Sequence, residues 1–336
     1  MARFRHTEQH QRRFRDRQHE LLEKKAGETG AGEPAGRDGQ VISHHGRELL
    51  VEDAQTGETL RCVARRTLGT VVTGDRVLWV EEAHGNGAIV AVRPRISLLQ
   101  RPDPYGKPKS VAANIDQVLI VVAPRPEPNP TLIDRYIVAT LALPATPILV
   151  LNKTDLPETG ACRRLLDEFA ALGIERIETR ALAERPDPSM DDGLDTLRAR
   201  LAGHISLLAG QSGVGKSSLV RQLVPAAAPA VGDLSDQSGE GRHTTRASTL
   251  YHLPAGGDLI DSPGVRDFGL WQISPDDLAR GFTDIREHAD QCRFANCKHR
   301  DEPGCAVRRA AEQGKLSLRR LHSYLSLLET LETERR

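Results

Sequence analysis

No stretch of the 336-residue chain approaches the roughly 18 consecutive apolar residues that a membrane-spanning helix needs, and no membrane is expected in its function. Residues 1–17 (MARFRHTEQHQRRFRDR) hold no apolar run of the kind that opens a secretory leader, so the expected address is cytoplasmic. Cysteine is scarce: Cys62, Cys162, Cys292, Cys297 and Cys305 are five, an odd number that argues against a disulfide framework. Net charge is lacking as well, with 46 Lys and Arg against 46 Asp and Glu. Internal repeats are missing, and Gly and Pro together, 49 residues, are too few for a wholly disordered chain. What is present, 38% hydrophobic and 27% charged residues, suits a core of appreciable size, and at roughly 150 residues per domain the length predicts two or three domains.

The zero net charge hides an asymmetry. Residues 1–25 carry a local +4 and residues 292–320 a local +5, leaving −9 for the remainder. Two basic ends around an acidic middle fit a protein that holds a polyanion at its ends, although either run alone reads more readily as a solvated face.

The texture of the chain changes along its length. Residues 1–38 are basic, then Gly- and Glu-rich, with little to bury, and predict a flexible arm in which Glu8–Lys25 is at most a weakly amphipathic helix. Residues 39–101 hold five short strand-like runs between turn residues, which predicts a small OB-like β-barrel with Trp79 in its core. From residue 102 the pattern is α/β. Gln117–Ala123, Pro147–Leu151, Ile205–Ala209 and Leu259–Ile260 read as buried parallel strands, with helices expected at Thr131–Ala142, Arg163–Leu172, Leu194–Leu201 and Lys216–Val224. The Pro-rich segment 123–130 reads as a surface connection. Residues 273–336 turn helical, opening at an N-cap on Ser274 followed by Pro275, and Ser317–Leu331 is the last amphipathic helix. The expected architecture is therefore an α/β multidomain protein: arm, barrel, nucleotide-binding α/β domain over 102–272 and a helical module over 273–336.

Gly210–Ser217, GQSGVGKS, matches the P-loop pattern after a predicted strand and before a predicted helix. Backbone N–H groups of Gly210, Gln211, Ser212, Gly213, Val214, Gly215 and the following Ser218 would cradle phosphates, Lys216 would reach the β- and γ-oxygens, and the Ser217 hydroxyl would ligate Mg²⁺. Asn152, Lys153, Thr154 and Asp155 form an NKxD element at the end of a strand. Guanine offers two adjacent N–H donors that one carboxylate accepts together, so Asp155 would select GTP over ATP, with Asn152 on the O6/N7 edge and the Lys153 stem over the ring. Asp261-Ser262-Pro263-Gly264 matches DxxG: Asp261 would hold Mg²⁺ through water, and the Gly264 N–H would sense the γ-phosphate. A threonine between P-loop and DxxG is supplied by Thr244 or Thr245, and both stay open as Mg²⁺ ligands. In an ordinary GTPase the base-specifying element follows the other two; here it precedes them, which is a circular permutation.

Cys292, Cys297, His299 and Cys305 are spaced C-x4-C-x-H-x5-C. Three thiolates and an imidazole complete a closed tetrahedral Zn²⁺ site, structural because no position is left for water. Arg293, Lys298, Arg300, Arg308 and Arg309 surround it and suit RNA phosphates.

The permuted order, GQSGVGKSS, GRHTT, the DSPG element, the preceding barrel and the following cysteine cluster together resemble the small-ribosomal-subunit-dependent GTPases of RsgA type, from about residue 39 onward. The family usually has DTPG where this chain has DSPG, and Thr179-Arg180-Ala181 stands where a Ser-Ala pair is usual. The resemblance implies a monomeric GTPase that is stimulated by the small ribosomal subunit, contacts its rRNA and acts late in subunit maturation. Val265 stands where Ras-like enzymes keep a water-positioning Gln, which predicts slow turnover without a partner. His243 is the candidate to orient water in its place, the alternative being a residue that caps or packs its loop. The rival functions are a GTP-gated RNA-binding switch with negligible turnover of its own and a P-loop kinase; Asn152–Asp155 speaks against the second.

Overall fold

A computed structural model describes residues 36–46, 48–82, 85–103, 105–181, 192–224, 248–262 and 273–334. Residues 1–35 of the expected arm, with its helix over Glu8–Lys25, lie outside the described residues, as do His243, Thr244, Thr245, Gly264 and Val265. The arm expected to run to residue 38 gives way to a barrel strand from Arg37, which pairs with Trp79.

Five strands form the barrel: β1 (Arg37–His45), β2 (Glu48–Asp53), β3 (Thr59–Ala64), β4 (Arg76–Glu81) and β5 (Gly87–Val92). Antiparallel pairing of β1 with β2 and β4, and parallel pairing of β3 with β5, closes them in the OB-like manner expected. Val41, Leu49, Val51, Cys62, Val71, Val77, Trp79 and Ile89 fill the interior. Along β2 the buried residues alternate with half-buried ones, and in β3 Cys62 stands between exposed neighbours, as a strand with one face on the core requires.

A hairpin that the sequence reading did not contain follows, β6 (Leu98–Pro102) paired with β7 (Pro108–Ala113) as a separate two-stranded sheet. It straddles the boundary expected at residues 101 and 102. Pro102 and Pro108 face each other at its turn end, next to the Asp103 N–H bond to Lys107 O, and both stand at a strand terminus, where proline is tolerated.

The α/β domain is built on five parallel strands: β8 (Gln117–Val122), β9 (Thr146–Leu151), β10 (Glu175–Glu178), β11 (Ile205–Ala209) and, later in the chain, β13 (Asp258–Asp261). A short β12 (Thr249–His252) runs antiparallel to β13. The helices are α1 (Pro130–Ala142), α2 (Thr159–Ala171), α3 (Leu194–Leu201) and α4 (Lys216–Leu223), each within a few residues of its expected span. β8 is buried on all six residues, consistent with its unbroken apolar run between helical layers. One 11-stranded sheet joins both domains, because β12 also pairs antiparallel with β1 of the barrel.

The C-terminal module comprises α5 (Pro275–Gly281), α6 (Thr283–Ala289), α7 (Ala306–Glu312) and α8 (Leu318–Glu334). Ser274 caps α5 in a capping box with Asp277, with Pro275 at the first turn. The module docks on α1 and α2 through ion pairs, of which those on the buried Asp134 of α1 lie deepest. Arg320, 3% exposed, bridges Asp134 on α1 and Asp284 on α6 and lies 4.2 Å above the Phe282 ring. Arg319 joins Asp134 and Glu168. Burial raises the Asp134 pKa, and the two arginines oppose that shift and compensate the carboxylate. Among the described residues no helix is long and apolar enough to cross a membrane.

Candidate nucleotide site and candidate metal centre

The P-loop links β11 to α4, and the NKxD element follows β9, two strands away across β8. These strand ends meet in space, so that Asn152 touches Val214 although 62 positions separate them in the chain.

The contact between the two motifs is made by side chains of the NKxD element on carbonyls of the P-loop. Asn152, 1% exposed, donates from Nδ2 to Val214 O at 3.0 Å. Its Oδ1 accepts from the Thr179 hydroxyl and from the Ala181 N–H, both at 3.1 Å. Lys153 adopts a left-handed φ of 59°, which a non-glycine residue rarely takes, and its Nζ donates to Gly213 O at 2.5 Å and Arg125 O at 3.1 Å. Gly215 has φ 98°, and a Cβ there would stand 2.3 Å from Asn152 Nδ2, so the close approach of the motifs requires glycine.

Asn152, the residue expected on the O6/N7 edge of guanine, bonds protein partners through its oxygen and one amide hydrogen, which makes it the tie between three loops. Thr154 bonds the Thr179 carbonyl through both its N–H and its hydroxyl. Asp155 is exposed, and no bond to another described residue engages its carboxylate. Within the P-loop, Lys216 Nζ donates to Gly210 O at 2.7 Å and Gln211 O at 2.6 Å, while Ser212, Gly213 and Ser217 are exposed and Ser218 N–H bonds Gly215 O. Asp261 closes β13, two strands from β8 across β11, with Ser262 just beyond it.

Sequence reasoning missed the contribution of the segment 123–130. It is not only a surface connection: Arg125 O receives Lys153, and Pro126 Cδ lies 3.6 Å from where a Gly213 Cβ would be. No residue pattern signals a role carried by a backbone carbonyl.

The second centre joins the loop after α6 to the start of α7. The ligand atoms of Cys292, Cys297, His299 and Cys305 all lie within 4.8 Å of one another. Cys292 Sγ is 4.0 Å from Cys305 Sγ, and His299 Nδ1 is 3.6 Å and 3.5 Å from those two sulfurs. Zn–S bonds of about 2.3 Å and Zn–N bonds of about 2.0 Å give tetrahedral edges of about 3.8 and about 3.5 Å, so the donor set fits zinc. The N–H groups of Ala306 and Arg308 donate to Cys292 and Cys305 sulfurs at 3.3 and 3.5 Å, which stabilises thiolate charge. Burial lowers the His299 pKa and favours the neutral ring that a metal ligand needs. Of the surrounding basic residues, Lys298 and Arg300 both pair with Glu332, Arg308 pairs with Asp301, Arg293 stacks over Phe294, and Arg309 is exposed.

Comparison with known proteins agrees with this geometry. The family profile described as RsgA GTPase matches residues 92–271. A relative from Hahella chejuensis named small ribosomal subunit biogenesis GTPase RsgA is 43% identical, over 91% of this chain and 88% of its own. One of the same name from Pseudomonas putida is 47% identical, over 94% and 90%. Among solved structures, YjeQ from Thermotoga maritima is 30% identical with a TM-score of 0.68, covering 88% of this chain and 99% of that one. YloQ, described as a circularly permuted GTPase, is 25% identical with a TM-score of 0.67, covering 91% and 98%. With motif order, barrel, α/β sheet and cysteine cluster all in agreement, the chain belongs to the RsgA GTPase family.

Proposed function

We propose that the chain binds GTP with Mg²⁺, hydrolyses it to GDP and phosphate, and does so in late maturation of the small ribosomal subunit. The observation that carries this reading is the tie of Asn152 and Lys153 to Val214 and Gly213, which joins the NKxD element to the GxxxxGKS loop. In this reading Asp155 accepts the two guanine N–H donors, the Lys153 stem covers the ring, and the N–H groups of residues 210–218 hold the phosphates. Lys216 exchanges a loop carbonyl for a phosphate oxygen. Ser217, Asp261 and one of Thr244 or Thr245 would hold Mg²⁺, which neutralises charge on the β- and γ-phosphates when bound. Gly264 senses the γ-phosphate and His243 orients the attacking water.

The Cys292, Cys297, His299 and Cys305 set holds one structural Zn²⁺ in a module, residues 273–336, whose exposed Arg293 and Arg309 face rRNA phosphates. The remaining parts are the arm at 1–38, the barrel at 39–101 and the GTPase domain at 102–272. Because Val265 cannot position water, turnover depends on the small subunit, and the protein works as a cytoplasmic monomer. The names of the relatives support the ribosomal role.

Asp155→Asn tests the base assignment. Replacing the carboxylate removes charge-assisted bonds and lowers GTP affinity at least about tenfold, while ATP, bound weakly by wild type, changes little. Unchanged GTP affinity would remove Asp155 from the base site.

A further inference from the structure

The barrel reaches the strands that border the nucleotide-sensing motifs through a chain of hydroxyls. Thr249 pairs with Asp261 across β12 and β13, and one step beyond this rung the Ser248 hydroxyl donates to Ser262 Oγ at 2.7 Å. Ser262 is the second residue of the DxxG element and is 7% exposed; Ser248 follows Thr245 by three positions. The Ser248 carbonyl accepts from the hydroxyl of Thr73 at 3.0 Å, a fully buried residue on the barrel segment between β3 and β4. That segment is itself pinned. Thr73 O accepts from Ala113 N–H at 2.9 Å, and Asn114 Nδ2 donates to Gly74 O at 2.8 Å. Gly74, at φ 88°, lets the chain pass where a Cβ would stand 2.3 Å from Ala113 O and 3.3 Å from Ile260 on β13. Beside it, Ser43 of β1 pairs with Thr249.

We propose that Thr73 and Ser248 are positioning residues for GTP hydrolysis: Ser248 holds Ser262, Thr73 holds Ser248, and the barrel thereby helps set where Asp261 stands. This rests on the GTPase reading above. The physical reason is location. Ser248 and Ser262 sit where both chains leave the sheet, so the last rung of hydrogen bonds decides how firmly the end of β13 is held. A barrel engaged on RNA would act on that rung directly through Thr73, without passing through the C-terminal module.

The test uses the full chain and separates chemistry from binding. Single-turnover phosphate release and GTP affinity are measured for wild type, Ser248→Ala, Thr73→Val and Ser248→Thr, with Ser97→Ala as a control that removes another buried hydroxyl, bonded to Ile115 O. Ser248→Ala and Thr73→Val each slow hydrolysis about fivefold, the kinetic equivalent of one net hydrogen bond, with GTP affinity within about twofold of wild type. Ser248→Thr keeps the hydroxyl and restores the rate, and Ser97→Ala leaves it unchanged. Unchanged rates in both variants, or an equal loss in Ser97→Ala, overturn the proposal. If Ser248→Ala does not fold, Thr73→Val decides alone. A wild type that releases no phosphate, with or without small subunits, refutes the GTPase reading itself, whereas wild-type turnover with unaffected variants refutes only the positioning role.

Discussion

Replacing Gly215 by alanine puts a methyl group where the Asn152 amide stands, 2.3 Å from Nδ2, on a backbone with φ 98°. The left-handed conformation costs an alanine about 1–2 kcal/mol. Displacing Asn152 breaks its bond to Val214 O and strands a buried amide, about 1–3 kcal/mol more. The free protein relieves the clash by letting the P-loop and the NKxD loop part. A guanine nucleotide needs them together, so up to about 2–5 kcal/mol surfaces as lost affinity. Titration with a fluorescent GDP analogue is expected to show at least about a tenfold weakening. A double-mutant cycle identifies the cause. In an Asn152→Ala background the methyl group has nothing to strike, so Gly215→Ala costs only its backbone term there, and the two substitutions couple by about 1–3 kcal/mol. Strict additivity, or affinity within about twofold of wild type for Gly215→Ala, would refute the argument.

Two further outcomes are expected. Purified protein holds one zinc per chain; Cys297→Ser or a strong chelator removes it and lowers the melting temperature, and metal analysis of wild-type protein showing no zinc would contradict the assignment. His252 bonds Asp258 at 2.7 Å and Glu52 of the barrel at 3.0 Å, and chiefly through the Asp258 bond its pKa is pushed up to about 9. A folded pKa above the ordinary value near 6.5 means the stabilisation is full below about pH 6.5 and is lost as pH rises through about 9. The melting-temperature gap between wild type and His252→Gln should therefore be present at pH 6 and gone above pH 9; a gap independent of pH would contradict it.

The motifs were legible because each concentrates its chemistry in a few consecutive residues: GQSGVGKS needs a strand before it and a helix after it, and both were visible as periodicity. The barrel strands were legible for the same reason, and Trp79 lies in the core as expected. The hairpin of β6 and β7 escaped because Pro102, Pro104 and Pro108 break the alternation that marks a strand. β12, four residues long, lies between β13 and β1 in the sheet, a pairing that no local pattern encodes. Long-range pairs were equally hidden. Arg320 meets Asp134 across 186 positions, and Thr73 meets Ser248 across 175. Asn152 was assigned to guanine by its motif, while its bonds to Val214, Thr179 and Ala181 depend on three loops converging in space.

Phosphate release from GTP, measured with and without purified small ribosomal subunits and with large subunits as control, tests the central claim most directly. The account predicts slow release alone, strong stimulation by small subunits and none by large ones. Tight GTP binding with no stimulation by small subunits would contradict it and leave a nucleotide switch without the ribosomal role.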